Sequence, residues 1–323
     1  IDVTEFAAFQ AEGALVDLQP YFEADPTWDP AAYLQVIDGF RDARGHRYGL
    51  PSTFTPYVMY YNRDLLAAEG LAPPRAGWTW EELLAACRAA TRDLDGDGRT
   101  DQYGISLTQW LQAVVPWIWQ NGGELLDERG ERSRLGEPEV VEALGFLRRL
   151  LHVERVASFD ATFENQLSQG LFQAGRAAFY GPVGYWETYR FRHLDAFDWD
   201  VVPLPRGEAA ATAVAMTLYV VPRTAREPEL AYELIRMLAG PRYQRTLARI
   251  GNGVPGLIAA ARSPSFLAPE RPPQSEEVFL DVLDEARFLP TLANWRQIES
   301  LCQAELEGIL LQSDCDVAAA CAR

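Results

Sequence analysis

In the stretch DLDGDGRTD, residues 93–101, carboxylates recur at Asp93, Asp95, Asp97 and Asp101, with Gly98 and the Arg99 carbonyl between the last two. Counted from Asp93, these fall at positions 1, 3, 5, 6, 7 and 9 of an EF-hand-type loop, in which a glycine makes the sharp turn and oxygens wrap one Ca²⁺. Four acids this close repel one another unless a cation lies among them. Position 12, which supplies a bidentate glutamate in such loops, is Gly104 here. Gln102, water or a distant carboxylate must therefore complete the shell. The spacing predicts a structural Ca²⁺ held by Asp93, Asp95, Asp97, Arg99, Asp101 and Gln102; the alternative is a solvated acidic turn. A sensor would need two helices that open an apolar groove, whereas this loop lies between a helix and the strand-like YGISL. It staples the two together.

Other chemistry is narrowed by what the chain lacks. All 29 basic residues are arginine, and with no lysine there is no Schiff base, pyridoxal anchor or phosphate-binding lysine. The three histidines and four cysteines show no metal-ligand spacing. A net charge of −17 repels nucleic acid and anionic lipid. No apolar run approaches the ~20 residues of a membrane helix. Nine tryptophans and thirteen tyrosines remain. Many stand in loops or at element ends: Tyr57, Trp110, Trp117, Trp119, Tyr185, Trp186, Tyr189 and Trp295. Flat amphipathic rings suit ligands with apolar faces and many hydroxyls, such as sugars, although most aromatics simply fill cores.

The elements that must position these residues are read from periodicity and caps. Thr4 caps a short helix stopped by Gly13, and a second helical stretch covers 30–41. A β-rich run ends at Asn62, which caps RDLLAAEG. Thr79 and Glu82 form a capping box before a helix running to Leu94, with Cys87 on its apolar face. Further helices are expected at 109–120, 138–152, 163–173, 228–239 and 241–250, and strands at AAFYG, WDVVPLP and MTLYVVP. In FDWDV, Asp198 and Asp200 are expected on one solvated strand face. Residues 262–275 read as a proline-rich linker, followed by helices at 276–286, 294–311 and 314–322. The interleaving of helices with short strands predicts α/β layers. Cys302 and Cys321 flank the LQSD turn; they are either a disulfide across a helical hairpin or free buried thiols.

The ordered segments GLPSTFTPYVMYYNRDLLAAEGL, PPRAGWTWEELLAACRAATRDLDGDGRTDQYGI, NGGELLD, LFQAGRAAFYGPVGYW, WDVVPLPRG, YVVPRTAREPELAYELIRMLAG and NWRQIESLCQAELEGIL resemble extracellular solute-binding proteins of carbohydrate ABC importers, the maltose-binding-like group. The resemblance covers the whole chain and extends to a calcium loop that some family members carry at this place. It implies a type II periplasmic-binding-protein-like α/β fold of two lobes joined by hinge crossings, closing over ligand in a cleft. Residues 1–54 and 215–272 would form the first lobe, and 55–214 with 273–323 the second. Family chains place a βαβ unit of roughly 30 residues ahead of the position matching Ile1, so the first lobe is expected to be incomplete there.

Carried over by position, Thr4, Glu5 and Thr55 match first-lobe and hinge polar contacts, Thr4 serving equally as a plain helix cap. Trp110 stands at a second-lobe ligand position, Tyr57 joins the aromatic set, Tyr185 and Trp186 lie in the stretch supplying a stacking ring, and Trp295 matches another stacking tryptophan. The implied partners are a di- or oligosaccharide and membrane permease subunits, with no nucleic acid and a monomeric protein. The implied location is extracytoplasmic, with a lipid anchor ahead of Ile1 as one form. No catalysis is expected. The alternatives are a glycoside hydrolase, which needs two carboxyls about 5–9 Å apart, and a calcium-dependent adhesion or structural module.

Overall fold

The computed structural model describes residues 1–34, 41–42, 44–108, 110–159, 166–251 and 253–322. Half of the helix expected at 30–41, residues 35–40, lies outside them. The described residues carry nine strands: β1 (Gly49–Pro56), β2 (Val58–Asn62), β3 (Tyr103–Leu107), β4 (Ala157–Phe159), β5 (Ala177–Val183), β6 (Trp199–Val202), β7 (Thr212–Val220), β8 (Val254–Pro255) and β9 (Ala286–Arg287). Two compact units share the chain. Unit 1 comprises Ile1–Thr55, Val214–Ala268 and Phe288–Gln297; unit 2 comprises Pro56–Ala213, Pro269–Arg287 and Ile298–Arg323. Residues 288–297, assigned from sequence to the second lobe, thus belong by contact to unit 1, and 269–272 belong to unit 2.

In unit 1, β8 pairs antiparallel with β1, setting Thr53 opposite Pro255 and Phe54 opposite Val254. β1 neighbours β7, whose first residues, Thr212 and Ala213 of unit 2, pair parallel with β9. The helix Pro228–Ala239 turns Tyr232, Ile235 and Ala239 onto a core with Leu18, Phe22, Leu50, Val221 and Leu257. That face is the 3.6-residue apolar stripe of its sequence.

Unit 2 is built on a five-stranded mixed sheet of order β4-β3-β5-β2-β6. β3 runs parallel to β4 and β5, while β2 runs antiparallel to β5 and β6. All five residues of β2 are buried, as expected of a central strand covered on both faces. Asn62 then caps Arg63–Ala68 by accepting the Leu65 N–H at 2.9 Å. The Thr79/Glu82 capping box forms at the start of Trp80–Ala90. This helix stops four residues before the expected Leu94, which is 63% exposed, because the chain turns at Thr91 into the acidic loop. Cys87 is fully buried on it. A Cβ at Gly104 would lie 2.4 Å from the Cys87 Cα, so β3 reaches the helix only through a glycine. The bidentate glutamate of an EF-hand is excluded from that position by packing.

At the amino terminus the helix is Val3–Ala11 and its cap is Asp2, two residues earlier than Thr4. The Asp2 carboxylate accepts both the Thr4 N–H at 3.0 Å and the Thr4 hydroxyl at 2.8 Å. Near the carboxy terminus, Trp295–Leu311 and Val317–Cys321 are helical, and all four cysteines are free thiols rather than a Cys302–Cys321 bridge.

Candidate functional site

The acidic loop gathers part of its predicted ligand set. Carboxylate oxygens of Asp93, Asp95 and Asp101 lie within 4.8 Å of one another, a span compatible with Ca²⁺ bonds of about 2.3–2.6 Å. Gly96 and Gly98 take positive φ values of 78° and 87°, folding the backbone so that their N–H groups donate to Asp93 at 2.7 and 2.8 Å. Those donors, Gly98 foremost, lower the Asp93 pKa. Leu94 N–H donates to Asp101 at 2.9 Å, closing the loop. Asp97 stands apart from the trio and accepts the Arg99 N–H at 2.8 Å. Gln102 donates from its amide to the Ala90 carbonyl at 2.7 Å, fastening the loop to the helix end. The donor set is all oxygen, which suits a hard cation.

The aromatic residues separate by burial. Trp117 and Trp119 are 1% and 5% exposed within the helix Leu111–Gln120, so they serve the core of unit 2. Trp117 packs against Trp80 and Phe146, and the Arg287 guanidinium covers Trp119 at 4.4 Å. Tyr57, Trp110 and Trp186 come together as a separate group. Trp186 meets Tyr57 edge-on at 5.5 Å and Trp110 at 6.3 Å with a 55° tilt. Tyr57 is 1% exposed; its hydroxyl donates to Gln112 Oε1 at 2.7 Å and its carbonyl accepts from Thr212 Oγ1 at 2.6 Å. It is a fixed support. Trp110 and Trp186 are each only partly buried. Trp110 occupies the N-cap position of Leu111–Gln120 with extended backbone, and its indole Nε1 is buried without a hydrogen-bond partner among the described residues.

Tyr185, expected as part of the ligand-facing pair, is instead fully buried. Its hydroxyl donates to Glu276 at 2.5 Å and accepts from Arg192 at 3.0 Å, while its ring lies edge-on to Phe279. Arg192 also pairs directly with Glu276. Burial and the Glu276 charge raise the Tyr185 pKa. Tyr185 therefore fastens the segment 269–287 to the body of unit 2. Asp200 does the same work and departs from the solvated face expected of it. It is 0% exposed, pairs with Arg63, and accepts from Ser275 N–H and hydroxyl at 3.0 and 2.9 Å. With its carboxylate so engaged, the Asp198/Asp200 pair offers no hydrolytic couple.

One residue that sequence reasoning passed over stands beside Trp186. Glu187 is 2% exposed and accepts from Gln169 Nε2 at 3.2 Å, Arg190 Nη1 at 3.3 Å and Tyr180 hydroxyl at 3.5 Å. Burial pushes its pKa up to about 7, against the lowering effect of Arg190 and of the Tyr180 hydrogen bond. The signal in sequence was weak: an acid between an aromatic pair and an arginine three residues on.

On unit 1, Thr4 and Glu5 share the first turn of the helix Val3–Ala11 and are partly buried. Glu5 pairs with Arg296, the neighbour of Trp295. Thr55 is 6% exposed at the end of β1. Trp295 opens the helix Trp295–Leu311 and is fully buried, its indole Nε1 without a partner among the described residues. It presents no ring face to solvent in this structure.

A two-unit α/β chain with partly buried indoles grouped on one unit has features of a small-molecule binding protein. The chain belongs to the bacterial extracellular solute-binding protein family, whose model matches residues 1–245. Its fold is the two-lobed type II periplasmic-binding-protein fold. The ABC substrate-binding protein of Listeria monocytogenes in complex with cycloalternan aligns with a TM-score of 0.90 at 24% identity, covering 100% of this chain and 81% of that one. Maltose-bound MalE3 of T. maritima aligns with a TM-score of 0.82 at 22% identity over 100% of this chain and 81% of that chain. Among curated relatives, a Brucella abortus protein described only as a binding protein is 21% identical over 273 residues, 83% of this chain. The chain spans 64% of that relative's length. The arabinooligosaccharide-binding protein of Halalkalibacterium halodurans is 28% identical over 130 residues, 38% of this chain and 27% of its own. No helix among the described residues is long and apolar enough to cross a membrane.

Proposed function

We propose that this protein binds a di- or oligosaccharide outside the cytoplasm and delivers it to the permease subunits of an ABC importer, without catalysing a reaction on it. The observation that carries this reading is the partly buried Trp110–Trp186 pair, supported from one side by the fixed ring of Tyr57. Indole faces cover the C–H surfaces of a pyranose, and the free Trp110 N–H supplies a donor for a hydroxyl. The saccharide complexes among the structural neighbours support the same class of ligand. Micromolar affinity corresponds to about −8 kcal/mol, within reach of two stacked rings and a few hydrogen bonds after ordering costs. Calorimetric titration with maltose, maltotriose, cycloalternan and arabinooligosaccharides tests the reading, with glycerophosphocholine as a non-saccharide control. Saccharide binding that W186A and W110A each weaken at least tenfold supports it. Unchanged affinity in both variants refutes it.

The acidic loop is read as a fastening. Asp93, Asp95 and Asp101 would hold one Ca²⁺, with Asp97 and the Arg99 carbonyl able to join them, and the ion would supply charge neutralisation that ties the end of the helix Trp80–Ala90 to β3. Chelation is then expected to lower thermal stability while leaving saccharide affinity nearly unchanged. An adhesion module would lose its binding instead.

A further inference from the structure

Trp110 stands at the N-cap of the helix Leu111–Gln120, and its indole Nε1 has no partner among the described residues. No hydrogen bond from its own side chain fixes the ring, so its place depends on the first helical turn. Two side chains hold that turn. Gln303 of the helix Trp295–Leu311 accepts the Leu111 N–H at 2.9 Å, satisfying one of the donors that a helix start leaves over. Gln112 accepts the Tyr57 hydroxyl at 2.7 Å.

Tyr57 is anchored apart from that bond. Its N–H donates to the Ala213 carbonyl at 2.9 Å, and its own carbonyl accepts from Thr212 Oγ1 at 2.6 Å. Its ring meets Trp186 edge-on at 5.5 Å, and Trp186 lies 6.3 Å from Trp110. The contacts close a circuit within unit 2: Trp110 to Trp186, Trp186 to Tyr57, Tyr57 to Gln112, and Gln112 back to Trp110 two residues along the chain. Residues two apart on a helix do not face each other, so Gln112 acts on Trp110 through the turn they share.

We propose that Gln112 is a positioning residue for the Trp110–Trp186 pair: by accepting the Tyr57 hydroxyl it ties the turn that carries Trp110 to the ring that supports Trp186, and so sets the separation and tilt of the two indoles before a ligand arrives. This rests on the reading that these indoles contact the saccharide. Rings held in place beforehand lower the ordering cost of binding, so losing the tie weakens affinity without removing a ligand contact.

Four variants test it. Q112L removes the acceptor and Y57F the donor; Y57F/Q112L removes both, which leaves no orphaned group and is nearly neutral for stability. Q112E keeps an acceptor oxygen and places its carboxylate in the first turn of a helix, where it is favoured. The first arm needs no ligand. Two indoles this close and tilted by 55° couple in circular dichroism, and subtracting the spectrum of the matching W110F variant separates their couplet from the other tryptophans. The couplet should shrink in Q112L and in Y57F/Q112L and keep its wild-type size in Q112E. An unchanged couplet in Q112L overturns the proposal.

In the second arm the Kd for maltotriose and the melting temperature are measured together. Q112L and Y57F should each weaken binding by about threefold to tenfold, with Q112E within about twofold of wild type. In Y57F/Q112L the losses should not add, because both changes break one bond. The double variant should also recover melting temperature while its affinity stays reduced, whereas a bond that served stability alone would restore both together. Wild-type affinity in Q112L, additive losses, or affinity that returns with stability overturns the proposal. A loss in Q112E as large as in Q112L also overturns it, since the Gln112 amide nitrogen would then be meeting the ligand directly. If no saccharide binds, or W186A binds as well as wild type, the functional reading above fails instead, and the dichroism still decides whether Gln112 positions the rings.

Discussion

Replacing Glu187 with glutamine isolates the energetic cost of burying this acid. Gln keeps the shape and an acceptor oxygen but does not titrate, so the pH dependence of the stability difference between the two proteins reports the carboxyl alone. The folded-state pKa is raised from 4.5 to about 7, with burial the largest cause. A raised value means the folded state binds the proton more tightly than the unfolded chain. The resulting stabilisation is fully present below the unfolded value and is lost as pH rises through the folded one. At 1.36 kcal/mol per unit, the loss is about 3 kcal/mol across the interval from pH 4.5 to 7. E187Q should therefore gain about 3 kcal/mol relative to wild type over that window, with a constant difference above pH 8. Urea unfolding at half-unit pH steps, read by far-ultraviolet dichroism, gives the difference directly. A difference that does not vary with pH would show the carboxyl to be as well solvated in the folded protein as in the unfolded chain, against the burial argument.

Three further outcomes follow from single contacts. Arg192→Ala should destabilise by about 1.5–3 kcal/mol, since it removes the guanidinium paired with the Glu276 carboxylate, 1% exposed; a charge-free Arg192→Leu/Glu276→Leu double variant should recover much of that in chemical denaturation. Thr79→Ala removes one half of a formed capping box and should cost about 1 kcal/mol by the same method. Gly104→Ala places a methyl group 2.4 Å from the Cys87 Cα, so it should lower the melting temperature by pushing β3 off its helix, at a cost of about 1–3 kcal/mol; wild-type stability would mean the strand shifts freely there.

Much of the framework could be read locally. The Asn62 cap, the Thr79/Glu82 box, the buried Cys87 and the boundaries of Pro228–Ala239 each depend on residues within a turn or two of one another. The acidic loop was legible for the same reason, since its turns follow from glycines placed between aspartates. Errors arose where a competing local feature lay two to four residues away. Asp2 took the cap expected of Thr4 because its carboxylate accepts both groups of that residue. The helix from Trp80 ended at Ala90 although apolar periodicity continued to Leu94, because the loop geometry took over.

The sequence by itself determined the helix Pro228–Ala239, the Asn62 and Thr79/Glu82 caps, the α/β class, and which nine tryptophans were available for a site. Only the tertiary structure decided which of those rings stay partly open. Tyr185 and Asp200 became fastenings because residues from 269–287, some 75 to 91 positions further along the chain, arrive to bind them. The Glu187 environment likewise needs a helix, a strand and a neighbouring turn to converge on one carboxylate. Periodicity and caps are short-range preferences written in adjacent residues. Burial is the sum of whatever distant segments pack at a point, and solvation, hydrogen-bond saturation and acidity are fixed only when that packing is complete.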